Sequence, residues 1–273
     1  MNYYNEWDKG AAAWLRELIK QGHIPFGVVD ERSITEVRPE DLDGFTQCHF
    51  FAGIGGWPLA LRLAGVSEDT PLWTGSPPCQ PFSTAGKQLG QFDPRHLAPV
   101  FLDLISECRP PVLFGEQVAA AIGKSWMCDL QTHLEGEDYA VGFAVLPACS
   151  VGAPHKRDRL FFGAHNLAHS SQRRRGEECP DTGRRVVRNS EEGWTPGRGA
   201  SGGYNTTNPH NGFWSDTDWL GCRDGKFRPV EPGTFPLANG IPARVGRLRG
   251  YGNAIVPQVA AEFIKAFMGA VNE

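Results

Sequence analysis

The stretch Thr46-Gln47-Cys48-His49-Phe50-Phe51-Ala52-Gly53-Ile54-Gly55-Gly56 reads as a short apolar strand running into a glycine-rich loop. Pro58 to Leu63 follows as a helix, with its proline in the first turn, where the N–H it lacks has no partner to lose. A strand, a Gly-x-Gly-Gly loop and a helix let a ligand approach the backbone. Glycine has no Cβ to block it, and the helix start presents free N–H groups. By pattern alone the segment fits any nucleotide binder, and equally a tight structural turn.

Outward from this loop, strand and helix candidates alternate. Upstream, Trp7 to Lys20 carries Trp14, Leu15, Leu18 and Ile19 at helical spacing, Gly22 can stop it, and Gly27-Val28-Val29-Asp30 reads as a strand. Downstream come the strand Leu72-Trp73-Thr74, a helix from Leu97 to Ser106, and a buried strand Val112-Leu113-Phe114 ending at Glu116. A strand pair follows, Ala140 to Leu146 and Arg159 to Gly163, and Pro257 to Met268 is an amphipathic closing helix. This alternation predicts an α/β sheet with helices on both faces.

Bulk properties set limits. A chain of 273 residues suits one domain plus a smaller lobe. A formal net charge of −4 weighs weakly against a nucleic-acid surface, because a neutral sum can hide a local basic patch. No apolar run is long enough to span a bilayer, and Met1 to Glu6 lacks the features of a signal peptide. The seven cysteines contain no Cys-x-x-Cys pair, so no metal site is expected, and a scattered odd set suggests reduced thiols in a cytoplasm. From 166 to about 211 aliphatic residues thin out, and Arg173-Arg174-Arg175 and Arg184-Arg185 appear. That composition fits a solvated insertion or a lobe whose arginines face phosphates.

The chemistry gathers around Gly75-Ser76-Pro77-Pro78-Cys79-Gln80-Pro81-Phe82-Ser83. Prolines fix φ and remove backbone donors, so this thiol sits on a stiff loop. A nucleophile needs its attack angle set in advance, although a Pro-Cys dipeptide alone also fits an ordinary loop. Two further strings accompany it, Gly115-Glu116-Gln117-Val118 and Gly152-Ala153-Pro154-His155-Lys156-Arg157-Asp158-Arg159. Glu116, alone, reads as a surface residue; at the end of a buried strand, burial would raise its pKa. Arg157 and Arg159 alternate, which places them on one face of a strand.

In this order, with Gly252-Asn253-Ala254-Ile255-Val256-Pro257-Gln258 closing the chain, these strings resemble the DNA cytosine-5 methyltransferases from about Cys48 to Phe267. The resemblance implies a Rossmann-like S-adenosylmethionine-dependent methyltransferase sheet with a small irregular target-recognition lobe. It implies a catalytic and cofactor domain over 1–164, completed by 237–273, and the lobe over 165–236. Cys79 matches the nucleophile that adds to cytosine C6, and Glu116 the acid at N3. One of Arg157 and Arg159 matches the residue that reaches the cytosine carbonyl and orients Glu116. Phe51, Gly53, Ile54 and Gly55 would line the S-adenosylmethionine pocket, approached by Gly252 and Asn253. Gln80, Ser83, Arg95 and His155 would touch DNA. The partner implied is double-stranded DNA, bound by a monomer, in a bacterial cell or phage-infected host.

The chain departs from the family at three points. Gln117 stands where the family has asparagine, and His155 where it has glutamine. The family also places two strands between the glycine loop and the Cys loop, each ending in a polar or acidic residue that holds the cofactor. Here only Trp57 to Ser76 is available, room for one helix and one strand. Either the pocket is pared down, leaving a DNA-binding relative without activity, or those strands lie elsewhere. The segment from Val29 to Leu42 is the candidate source. A permuted order would place Asp30 against the adenine amino group, with Ser33 or Ile34 beside the ring. The alternative is a surface loop of ordinary acidic residues, with Glu68 or Asp69 as a weaker substitute.

Overall fold

The computed structural model describes residues 1–78, 97–124, 126–153, 155–168, 218–221, 227–230 and 253–272. In chain order the strands are β1 (Asn2–Asn5), β2 (Gly27–Asp30), β3 (Gln47–Phe50), β4 (Leu72–Gly75), β5 (Val112–Val118), β6 (Tyr139–Leu146), β7 (Arg159–Asn166), β8 (Asp218–Gly221) and β9 (Phe227–Val230). The helices are α1 (Lys9–Lys20), α2 (Gly56–Ala64), α3 (Ala98–Cys108), α4 (Trp126–Gly136) and α5 (Pro257–Asn272). Seven strands form one sheet in the order β2-β1-β3-β4-β5-β7-β6, and β8 pairs with β9 in a separate antiparallel ribbon. The run from β2 to β5 is parallel, whereas β7 is antiparallel to both β5 and β6.

Parallel strands buried on both faces have no solvent side to alternate towards. Every residue of β1, β3 and β4 is accordingly buried. One face packs Tyr3, Phe50, Trp73 and Leu113 against α3 and α4 through Phe101, Leu104 and Leu130. The other packs Leu72, Phe114 and Phe161 against Trp57, Leu61, Phe263 and Ile264 of α2 and α5. Under α1 a smaller cluster joins Tyr4, Leu15, Ile24 and Ala52.

Two strands flank the glycine-loop strand on the side away from β4, and both precede it in the chain. They are β1 and β2, with α1 between them. β1 inserts between β2 and the glycine-loop strand β3, so Asn5 is level with Asp30 on one side and Phe50 on the other. The upstream source proposed from Val29 onward is one of the two. The other, Asn2–Asn5, has polar ends and only two apolar residues, and was not foreseen as a strand. With both in place the sheet is complete on this side, and a pared-down pocket is not needed to explain the short interval.

Candidate active site and cofactor pocket

The C-terminal ends of β1, β3 and β4 lie side by side, with Asn5, Phe50 and Gly75 in register. In a parallel α/β sheet this edge is where ligands bind. The glycine loop leaves it through a strained turn, with Phe51 at φ 52, Gly53 at φ 56 and Gly55 at φ 84. The two glycines act differently. A Cβ on Gly53 would meet nothing closer than 3.9 Å, so its backbone faces open space. A Cβ on Gly55 would come 3.2 Å from Leu18 Cδ1, so this glycine brings the start of α2 tightly onto α1. Ile54 between them is half-buried, and Phe51 stands edge-on to Phe101 with ring centroids 6.0 Å apart.

Two residues that the sequence reading passed over sit at this edge. Glu6, just past β1, is 8% exposed and accepts from Gly53 N–H at 2.8 Å and from Asp8 N–H at 2.9 Å. Burial raises its pKa, and the two N–H donors oppose that rise. Trp7 beside it is 73% exposed. The helix starts later than its periodicity suggests, because Asp8 caps it by accepting from Ala11 N–H at 3.0 Å. A legible signal was present: an acid and an aromatic residue after an apolar pair, followed at once by an N-cap.

At the end of β2, Asp30 accepts from Tyr3 Oη at 2.7 Å, from Arg32 N–H at 2.9 Å and from the Arg32 guanidinium at 2.7 Å. Burial pushes its pKa up, but the Arg32 and Tyr3 donors outweigh it and hold the carboxyl below the usual range. Arg32 also reaches Asp41 at 3.0 Å. An adenine amino group would reach Asp30 only by exchanging with one of these donors. Ser33 caps the next turn by accepting from Thr35 N–H at 3.3 Å, and Ile34 is buried in the core.

On the catalytic side, Glu116 lies within β5 rather than at its end, and is 7% exposed. Arg159 Nε donates to its carboxylate at 2.7 Å from the first residue of β7. Burial outweighs the charges of Arg159 and Arg157, and pushes the Glu116 carboxyl up to about 7. Arg157 is not on that strand. Its backbone is left-handed, at φ 38, so β7 begins two residues later and the expected alternation fails. The Arg157 guanidinium donates instead to the Ala254 carbonyl at 2.6 Å, tying the catalytic side to the closing segment beside the exposed Asn253. His155 is exposed. Gln117 donates from Nε2 to the Pro77 carbonyl at 3.3 Å and accepts from Val118 N–H at 2.9 Å. Cys79, Gln80, Ser83, Arg95 and Gly252 lie outside the described residues. The stem that leads to Cys79 is described as far as Pro78, and it leaves β4 beside β5, one strand from Arg159.

This edge can hold a nucleoside on one side, with a carboxylate, an exposed indole and an open glycine backbone. On the other side it carries a carboxyl poised near neutrality, held by an arginine. Several Type II methyltransferases align with parts of the chain. They include M.AplI of Arthrospira platensis (36% identical, over 34% of this chain and 28% of its own) and M.AquIA of Picosynechococcus (34%, over 42% and 51%). M.HhaI of Haemophilus parahaemolyticus is 27% identical over 46% of this chain and 50% of its own, so the chain spans about half or less of these relatives. The crystal structure of S. pombe Dnmt2 methyltransferase covers 61% of this chain and 51% of its own, with TM-score 0.39 and 15% identity. Residues 2–183, well over half of the sequence, match the profile of the C-5 cytosine-specific DNA methylases, and the chain belongs to that family.

Proposed function

We propose that the protein transfers a methyl group from S-adenosylmethionine to C5 of cytosine in double-stranded DNA, through a transient Cys79–C6 bond. The observation that carries this reading is the buried Glu116–Arg159 pair beside the nucleophile stem, with Glu116 able to carry a proton near pH 7.

The target carbon is inaccessible in a stacked duplex, so the base is swung out, at a cost of a few kcal/mol. The Cys79 thiolate adds to C6, and Glu116 delivers its proton to N3 as charge builds on the ring. Arg159 holds the Glu116 carboxyl in place and faces the cytosine carbonyl. C5, now enamine-like, takes the methyl group. A base then takes the C5 proton, the C5–C6 double bond re-forms as the Cys79 thiolate leaves, and the N3 proton returns to Glu116, which restores both the ring and the acid. The cofactor supplies an electrophilic methyl on sulfur.

The cofactor would lie over Gly53 and Phe51, with Ile54 and Gly55 shaping the turn beneath it. Glu6 suits the ribose hydroxyls, because its carboxylate already anchors the loop and retains acceptor capacity. Trp7 suits the adenine face. Asp30, exchanging with Arg32, and Ser33 suit the adenine edge, and Gly252 and Asn253 close the pocket. Gln80, Ser83, Arg95 and His155 are assigned to DNA, and residues 165–236 to target recognition by a monomer. Residues 1–164 and 237–273 form the catalytic unit.

DNA carrying 5-fluorocytosine tests this, because fluorine cannot leave C5 as a proton does. With S-adenosylmethionine, a denaturation-resistant protein–DNA adduct is expected, and it is absent in Cys79→Ala. DNA binding with no adduct in the unsubstituted chain rejects the proposal.

A further inference from the structure

Two consecutive residues of the nucleophile stem are each held by a different part of the molecule. Ser76 Oγ accepts from the indole N–H of Trp57 at 3.0 Å. The Pro77 carbonyl accepts from Gln117. Trp57 is the second residue of α2, directly after the glycine loop, and is 2% exposed. Its ring also meets Phe161 of β7 edge-on, with centroids 6.4 Å apart, two residues from Arg159. Gln117 is 2% exposed and adjoins Glu116. One clamp therefore comes from the helix that starts at the cofactor loop, the other from the strand that bears the acid.

The two holds differ in what they can transmit. Gln117 belongs to β5 and is paired with Leu160 of β7, beyond the last β4 pair at Gly115, so its hold comes from the sheet itself. Trp57 belongs to the first turn of a helix whose entry loop has a left-handed Phe51, Gly53 and Gly55. A ligand pressing on that loop bears directly on the helix start and on the indole within it. The hydrogen bond runs from the buried Trp57 indole to Ser76, three positions before Cys79 in the chain.

We infer that Trp57 is a positioning residue that couples occupancy of the cofactor loop to the set of the Cys79 loop through Ser76. This rests on the cofactor assignment above. The experiment is arranged so that the two can fail separately.

The readout is the alkylation rate of Cys79 by iodoacetamide, mapped by mass spectrometry, with and without saturating S-adenosylhomocysteine, whose binding is measured independently by calorimetry. The unsubstituted chain is expected to show a rate that changes on binding. Trp57→Phe keeps the ring but loses the donor, and Ser76→Ala loses the acceptor with minimal change in volume. Each is expected to move the bound-to-free rate ratio towards one by roughly three- to tenfold, the size of one net hydrogen bond. The double substitution should do no more than either alone. Gln117→Leu should change both rates equally and leave the ratio intact. If both single variants bind S-adenosylhomocysteine and keep the parental ratio, or if their effects add, the coupling is overturned. If the unsubstituted chain binds none, the cofactor assignment has failed, and the coupling with it.

Discussion

Two ends of one sheet handle carboxylates in opposite ways. On the β2-β1-β3 side, Asp30 is surrounded by donors and held below its usual pKa, and Glu6, although burial raises its pKa, is tied to two backbone N–H groups that oppose the rise. On the β5-β7 side, Glu116 is buried so deeply that even two nearby arginines leave its pKa raised, near 7. In the first arrangement hydrogen-bond donors favour the charged carboxylates. In the second burial favours the protonated form. The difference also bears on chain order. Fixed acceptors need only be delivered to the sheet edge, by whatever route the chain takes. β1 and β2 arrive there ahead of the glycine-loop strand and still present Glu6 and Asp30 beside it. A proton donor needs a dry environment and an oriented partner, and on the β4-β5-β7 side burial and Arg159 supply both to Glu116.

The sharpest way to break this contrast is Glu116→Gln. It keeps the shape and removes the proton, so methyl transfer should fall by roughly a hundredfold to ten-thousandfold, while cofactor affinity stays within a factor of a few. In the parent, Glu116 must be protonated, so the rate should decline as pH rises through about 7. A rate still rising at pH 8.5, or a variant of near-parental rate, removes the acid from Glu116. Glu6→Ala should weaken S-adenosylmethionine binding by roughly tenfold to a hundredfold, the scale of lost charge-assisted hydrogen bonds, with the sheet intact by circular dichroism. Parental affinity in that variant would take the ribose role away from Glu6. Asp30→Ala should cost roughly tenfold in affinity, the scale of one such bond. Unchanged binding in a folded Asp30→Ala protein would confine Asp30 to its structural ties with Arg32 and Tyr3.

The smallest effect concerns stability. His49 is fully buried in β3, bonded from Nδ1 to Thr74 Oγ1 at 2.8 Å and stacked on Tyr4, while its Nε2 has no partner among the described residues. Burial pushes its pKa down to about 3. The unfolded chain binds a proton there from about pH 6.5 downward, so folding stability drains as pH falls, by about 1.4 kcal/mol at pH 5.5. His49→Gln should flatten that decline in thermal melts. An equally steep acid slope in the variant would assign it to other groups.

Much of this was legible because chemistry restricts residue identity. The Pro-Cys-Gln loop, Glu116 and Arg159 stand in the strings that carry the resemblance, and an α/β sheet follows from alternating apolar runs. β1 was not legible. Four residues with asparagine at both ends look like a strand only once β2 and β3 flank them, and Glu6 and Trp7 were lost with it. Arg157 misled for another reason. Its left-handed turn accompanies a contact with Ala254, 97 positions away, which no local alternation can report. Gln117 could be read as an amide, but its contact with Pro77 depends on how β4 and β5 sit together.

The chain order has a consequence in time. The neighbouring strands β2, β1, β3 and β4 all lie within residues 2–75. A ribosome therefore finishes all four of these strands before the first residue of β5 exists. In the usual family order the two outer strands come after the glycine-loop strand; here it is laid down third, against partners already made. A half-built sheet of this kind has two open flanks, of which that of β4 awaits β5, and Cys79 is synthesised before the strand that covers that flank.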